Sequence, residues 1–123
     1  VLRGYIPLGK ERILEDPTIL GSIKYNLIVA IQGCIDICNH IVAKKGGRAP
    51  QDYGDCFKLM AELGILESNF SDRLVQMAKF RNLLIHLYWE IDNERVYQIL
   101  NKNLDDIEQF LNAVGSFLKK EMG

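Results

Sequence analysis

The chain has 123 residues, of which 48% are hydrophobic and 25% charged, and this fits one ordinary globular domain over residues 1–123. Its formal net charge of −1 argues against a strongly basic protein that coats nucleic acid, although a local basic cleft remains compatible with it. Three cysteines, two of them arranged as Cys-x-x-x-Cys in an apolar stretch, predict buried structural thiols rather than disulfides or a zinc site.

No signal peptide is apparent. The longest apolar runs are interrupted before they reach the roughly 20 residues that a bilayer span requires. We therefore expect a cytoplasmic protein that does not enter the membrane.

The first 15 residues combine the irregular "YIPLG" with "KERILE", and we expect the remnant of a first helix there. A long helix follows, with Asp16 as its N-cap and Pro17 at its first position. Its apolar residues recur at steps of three and four: Leu20, Ile23, Leu27, Ile31, Cys34, Cys38 and Ile41. The segment "AKKGGRAP" predicts its end.

A shorter helix is expected from about Asp52 to Leu63, with Gly64 at its C-terminal end. Ser68 or Ser71 could cap the next helix, and Asp92 or Asn93 the last one. The last helix carries a heptad-like seam of Tyr97, Leu100, Leu104, Ile107, Leu111, Val114 and Leu118. No segment alternates like a strand, so the predicted fold is an all-α, up-and-down antiparallel bundle of four to five helices.

The stretch "FRNLLIHLYWEIDNE", residues 80–94, places polar side chains within an apolar run. At 100° per residue, Tyr88, Arg81, Asn82 and His86 occupy one arc of about 160°, and leucines occupy the opposite arc. One and two turns earlier the same face is apolar, which predicts that it is covered at one end and open at the other. An arginine and a histidine on a helix are often merely solvated, so the residues alone leave a functional and a structural interpretation open.

Arg81-Asn82-x-x-x-His86 resembles the R-N-x-x-x-H signature of the HEPN superfamily of ribonucleases, and Arg81-x-x-x-x-His86-x-Tyr88 resembles the form found in HepT toxins. The segments "CIDICNHIV", "FKLMAELGIL", "RLVQMAKFRNLLIH" and "YWEIDNERVYQIL" are also similar to HepT segments, in the same order. The resemblance extends from about Thr18 to Val114. The N-terminal part diverges from the family, in which it forms a helix.

The resemblance implies that Arg81, Asn82 and His86 form half of an RNA-cleaving site that a homodimer completes. It implies no cofactor and no metal, because RNA carries its own nucleophile, the 2′-hydroxyl. The imidazole would act as a general acid or base. The guanidinium would hold the scissile phosphate, while Asn82 would orient the imidazole or bind a ribose oxygen. Cleavage would leave a 2′,3′-cyclic phosphate.

The resemblance also implies a partner, an MntA-type minimal nucleotidyltransferase that acts as the antitoxin. In HepT-like proteins the tyrosine equivalent to Tyr88 receives AMP from this partner. The added bulk and negative charge beside Arg81 would block the phosphate site. Packing of Tyr88 at the helix end is the structural alternative.

Two other sets of residues stay outside this predicted site. Asp36 and His40 lie one turn apart on the long helix, where a mutual hydrogen bond or ion pair is expected. Trp89 is interpreted as a packing or rim residue. A rival function is a non-catalytic helical subunit that binds substrate or nucleotide for a nucleotidyltransferase, and a purely structural helical dimer is a third.

Overall fold

The structure is a computed structural model that describes residues 16–46, 48–52, 54–86 and 93–122. Over these ranges the chain forms four helices and no strand: α1 (Pro17–Lys45), α2 (Asp55–Glu62), α3 (Ser68–His86) and α4 (Asn93–Met122). The predicted all-α class is confirmed. The expected remnant of a helix within residues 1–15 and the expected cap Asp92 lie outside the described residues.

Helix α1 begins and ends where local capping signals predict. The Asp16 carboxylate accepts hydrogen bonds from the backbone N–H groups of Thr18 and Ile19, at 2.9 and 3.3 Å. Gly46 ends the helix with a φ of 72°, a left-handed conformation that glycine adopts without steric cost. All seven residues of the predicted stripe are buried.

By length and composition α1 could also cross a membrane, contrary to our expectation that its apolar runs are too interrupted. The structure instead packs its apolar stripe into the core of the bundle. This is the environment expected for the central helix of a helical bundle.

Helix α2 begins at Asp55, three residues later than predicted, and the Asp52 carboxylate accepts from the Asp55 N–H at 2.9 Å. Gly64 has a φ of 78° just beyond its end. There the N–H groups of Gly64 and Ile65 donate to the carbonyls of Ala61 and Met60, which is the Schellman pattern. Ser71, one of the two residues predicted to cap α3, lies inside that helix instead. Its hydroxyl donates to the Phe57 carbonyl of α2 at 2.9 Å.

Two apolar clusters show how the helices run. One joins the N-terminal halves of α1 and α4 to the C-terminal half of α3, and the other joins the C-terminal halves of α1 and α4 to α2 and the first half of α3. Helix α3 is therefore antiparallel to both long helices, and α1 and α4 run in the same direction. An ion pair of 2.7 Å between Lys45 and Glu121 links the last turns of α1 and α4.

The seam predicted for α4 is correct at four of its seven positions and wrong at Leu111 and Leu118. Leu100, Leu104, Ile107 and Val114 are buried, but Leu111 and Leu118 are 48% and 46% exposed, and Phe110 is fully buried instead. Buried positions recur along the helix at steps of four and three: Val96, Leu100, Asn103, Ile107, Phe110 and Val114. The buried face of α4 therefore keeps a heptad-like spacing but is turned around the helix relative to the predicted seam.

All three cysteines are buried and unbridged, as predicted. Burial raises the pKa of the Cys34 thiol to about 12. A hydrogen bond with Cys56, together with burial, raises the pKa of Cys38. These thiols act as small apolar side chains between α1 and α2.

Candidate active site at the end of helix α3

One face of α3 changes from buried to exposed along its length. Leu74 and Ala78 are buried, Arg81 and Asn82 are half-buried, and Ile85 and His86 are exposed. The structure thus confirms the expectation that this face is covered at one end and open at the other. The open end coincides with the C-terminus of the helix, since His86 is its last residue.

Arg81 and Asn82 form a direct pair at this open end. Nη1 of Arg81 donates to the side-chain oxygen of Asn82 at 2.8 Å. Because neighbouring residues lie about 100° apart on a helix, this bond draws the guanidinium sideways towards Asn82. Asn82 therefore contacts the guanidinium within one copy, and its expected roles, to orient the imidazole or bind a ribose oxygen, stay predictions.

His86 lies five residues after Arg81, which corresponds to about 140° around the helix and about 7.5 Å along it. Its side chain is exposed, so it is accessible to a ligand or to another chain. The two side chains leave the helix in divergent directions. One copy of the chain alone is poorly arranged to aim both groups at one phosphate.

Tyr88, the predicted AMP acceptor, and Trp89 lie outside the described residues.

Asp36 and His40 are exposed but do not form the expected pair. The Asp36 carboxylate accepts from the Gln32 amide at 2.8 Å. Asp36 and His40 both line a groove of about 690 Å³ between the C-terminal halves of α1 and α4. His40 lies 13 residues, about 20 Å along α1, from Leu27, which packs at the level of the end of α3. Within one copy, these residues therefore lie apart from the candidate site.

The described ranges contain no group of three or more histidine, cysteine or acidic side chains arranged to hold a metal ion. The polar groups at the end of α3 are a guanidinium, an amide and an imidazole. This set suits binding of a phosphate and transfer of a proton.

Two features near this site were missed from the sequence. One is a basic groove between α3 and α4, with Arg73 and Lys79 on one side and Arg95 and Lys102 on the other. Arg95 and Lys102 are seven residues apart and share one face of α4, a periodicity that could have revealed half of the groove. The other feature is a set of exposed apolar side chains: Tyr25 and Val29 on α1, 58% and 52% exposed, and Ile85 on α3.

Comparison with known proteins connects this geometry with a family. The family model described as "Ribonuclease HepT-like" matches residues 1–114. The mRNA nuclease HepT of Shewanella oneidensis is 33% identical over 100 residues, which cover 81% of this chain and 75% of that protein.

Solved structures agree with the sequence comparison. A toxin–antitoxin complex with AMP-PNP has a TM-score of 0.81 and 29% identity, covering 91% of this chain and 86% of the matched one. A tri-AMPylated HEPN toxin of Shewanella oneidensis in complex with an MNT antitoxin has a TM-score of 0.79 and 31% identity, with coverages of 85% and 79%. A family match over almost the whole chain, a nuclease relative and the shared helical fold point to the same conclusion. The chain belongs to the HepT-like family of ribonucleases.

Proposed function

We propose that the chain is a metal-independent endoribonuclease toxin of a toxin–antitoxin pair, and that two copies form its active site. The observation that carries this proposal is the open end of α3, where the Arg81–Asn82 pair lies beside an exposed His86. Membership in a ribonuclease family supports the reaction class. The similar nuclease from Shewanella oneidensis acts on mRNA, and an RNA substrate follows for this chain by analogy.

The proposed reaction is attack of a ribose 2′-hydroxyl on the adjacent phosphorus. His86 takes the hydroxyl proton or supplies a proton to the leaving 5′-oxygen. Arg81, held by Asn82, donates hydrogen bonds to the phosphate oxygens and stabilises the charge of the transition state. The new P–O bond closes a 2′,3′-cyclic phosphate as the bond to the 5′-oxygen breaks.

The divergence of Arg81 and His86 supports a homodimer. Two copies related by a two-fold axis can direct the histidine of one copy and the arginine of the other at one phosphate. Tyr25 and Val29 support such a contact, because they are exposed apolar side chains at the level of the end of α3. Ile85, 39% exposed, lies on α3 between the two polar groups.

A nucleotidyltransferase antitoxin is the proposed partner. Structures similar to this chain are toxins in complex with MNT or MntA antitoxins, and one of those toxins is AMPylated. We place the modification on Tyr88, two residues beyond His86. An AMP group there would bring a phosphate next to Arg81 and occupy the position of the substrate phosphate.

The catalytic part of the proposal is tested by cleavage of a 5′-labelled RNA with purified protein. Arg81→Ala and His86→Ala should each lower the rate by at least about 100-fold, the usual size of a lost general acid–base or electrostatic contribution. His40→Ala is the matched control for His86→Ala, since both histidines are exposed, and it should cleave like the parent.

The product and the metal requirement complete this test. The cleaved RNA should end in a 2′,3′-cyclic phosphate, and EDTA should not slow the reaction. A product with a plain 3′-hydroxyl would contradict the mechanism. A parent chain that neither cleaves RNA nor arrests growth would favour the non-catalytic binding subunit.

Modification of Tyr88 is tested by mass spectrometry. After co-expression with the antitoxin, the intact mass of the parent should rise by one or more AMP groups that map to Tyr88. Tyr88→Phe removes only the hydroxyl, so it should stay at its unmodified mass. An AMP increment that maps elsewhere would exclude Tyr88 as the acceptor.

A further inference from the structure

A groove of about 390 Å³ lies between α3 and α4 and is far more basic than the chain as a whole. Four cationic side chains line it, with one carboxylate: Arg73, Lys79, Arg95, Lys102 and Asp106. The whole chain, in contrast, carries a formal charge of −1. The groove therefore concentrates positive charge in a protein that has none in excess.

The single carboxylate is already engaged. Arg73 Nε lies 3.2 Å from the buried Asp106 carboxylate, and its Nη2 donates to Gln109 at 3.1 Å. Burial raises the pKa of Asp106, and Arg73 opposes that shift. This pair is close to neutral, and the exposed Lys79, Arg95 and Lys102 determine the charge of the groove.

Asn103 adds a hydrogen-bond donor to the groove wall. Its residue is 3% exposed, and its amide nitrogen has no hydrogen-bond partner among the described residues. A buried donor without an acceptor is destabilising, so its presence in a folded protein calls for an explanation. An anionic ligand with oxygen acceptors would balance the lysines, and it would satisfy the amide once the Asn103 side chain turns towards the groove.

The groove also leads towards the candidate active site. Lys79 lies seven residues before His86, so the two side chains leave α3 within about 20° of each other, two turns apart. The lining of the groove reaches Leu83, less than one turn from the end of α3. A chain that leaves the site past His86 would meet Lys79 and then the groove.

We propose that this groove binds the phosphate backbone of single-stranded RNA next to the cleaved linkage; the inference rests on the proposed function. A groove of this volume is the size of a small-molecule pocket, so it fits a short segment of one strand rather than a duplex. A protein ligand is less suited to it. Protein interfaces use exposed apolar anchors, and none of the large apolar residues exposed in the described ranges lines this groove.

The test measures binding of a fluorescent single-stranded RNA of about 12 nucleotides in the His86→Ala background, where the RNA stays intact. Adding Lys79→Ala and Lys102→Ala should weaken binding by about tenfold, because two phosphate contacts are lost. The slope of log affinity against log salt should fall by about 1.4, or about 0.7 per contact. Lys119→Ala with Lys120→Ala is the matched control: it removes equal charge from the far end of α4 and should change neither quantity.

Asn103→Leu separates binding from structure. It keeps the side-chain size and the net charge but removes the amide. RNA affinity should fall severalfold, while the midpoint of thermal unfolding should stay equal or rise, since an unsatisfied donor is removed. A fall in thermal stability with unchanged RNA affinity would assign Asn103 a structural role and count against the groove.

Kinetics distinguish failure of this inference from failure of the proposed function. With His86 intact, the double lysine variant should raise KM for the long RNA, whereas Lys119→Ala with Lys120→Ala should leave it unchanged. If the groove variants have the same KM for long RNA as the parent, the groove does not bind RNA, even when the parent is an active nuclease. If the parent cleaves no RNA but the groove variants still weaken RNA binding, the groove is supported and the proposed nuclease function is wrong. Loss of antitoxin capture with unchanged RNA affinity would make the groove a protein-binding surface.

Discussion

Asp55 is a buried carboxylate that its hydrogen-bond partners keep ionised. Both of its oxygens accept from the Arg48 guanidinium, and one also accepts from the Gln51 N–H at 2.9 Å. Led by the hydrogen bond from Arg48, these contacts lower the pKa of Asp55 to about 2. The segment between α1 and α2 is thereby fastened to the first turn of α2.

The lowered pKa predicts how stability depends on pH. An aspartate in an unfolded chain has a pKa of about 3.9, so the stabilisation by Asp55 is complete above that pH and disappears as the pH falls towards 2. The difference in unfolding free energy between the parent and Asp55→Asn should be constant near neutral pH and shrink between about pH 4 and pH 2. Denaturant unfolding across this range measures it.

Arg48→Gln is the partner control, because it removes the main cause of the shift while leaving the carboxylate. It should lose most of the same pH-dependent stabilisation. A difference between parent and Asp55→Asn that stays constant down to pH 2 would contradict the role given to this ion pair.

At the scale of elements, signals close in sequence predicted the structure best. Asp16, Pro17 and Gly46 fix the ends of α1 through contacts within a few residues of each other. The seam of α4 was predicted less well, because the neighbouring apolar residues Phe110 and Leu111 can each continue a repeat with steps of three and four. Phe110 is buried and Leu111 is exposed, and packing against the other helices decides between them.

In the candidate site, too, features within one helix are easier to predict than features that depend on contacts between helices. The relative directions of Arg81 and His86 could be predicted because the two residues share one helix, while their catalytic roles stay a prediction from the family resemblance. The bond from Arg81 to Asn82 depends on rotamers, which the sequence pattern does not specify. The basic groove needs two helices, and nothing in the pattern of α3 indicates which face of α4 it meets.

At the scale of the whole molecule, a site shared between two copies has a consequence for mixed dimers. Arg81→Ala retains its histidine and His86→Ala retains its arginine, so a dimer of one with the other rebuilds one complete site of two. Random mixing makes about half of the dimers mixed, and about one quarter of the parent activity should return under two-fold symmetry. RNA cleavage by the co-refolded variants, compared with each variant alone, measures this recovery.

The control for this recovery lies on the apolar face of α1. Val29 is 52% exposed in one copy, and Val29→Glu places a charge there. When both variants carry Val29→Glu, it should prevent pairing and so suppress the recovery of RNA cleavage. Leu118→Glu, at the far end of α4 and 46% exposed, should leave the recovery unchanged. A mixture as inactive as its components, although dimeric, would mean that each copy builds its site alone.

The buried thiols between α1 and α2 make it possible to measure how often these helices separate. A thiol reacts as its thiolate, and burial together with a high pKa keeps Cys34 and Cys38 protonated and shielded in the native state. Alkylation by a maleimide then proceeds only through molecules whose helices have separated. The rate of alkylation therefore reports how often the helices separate, and no label has to be engineered into the chain.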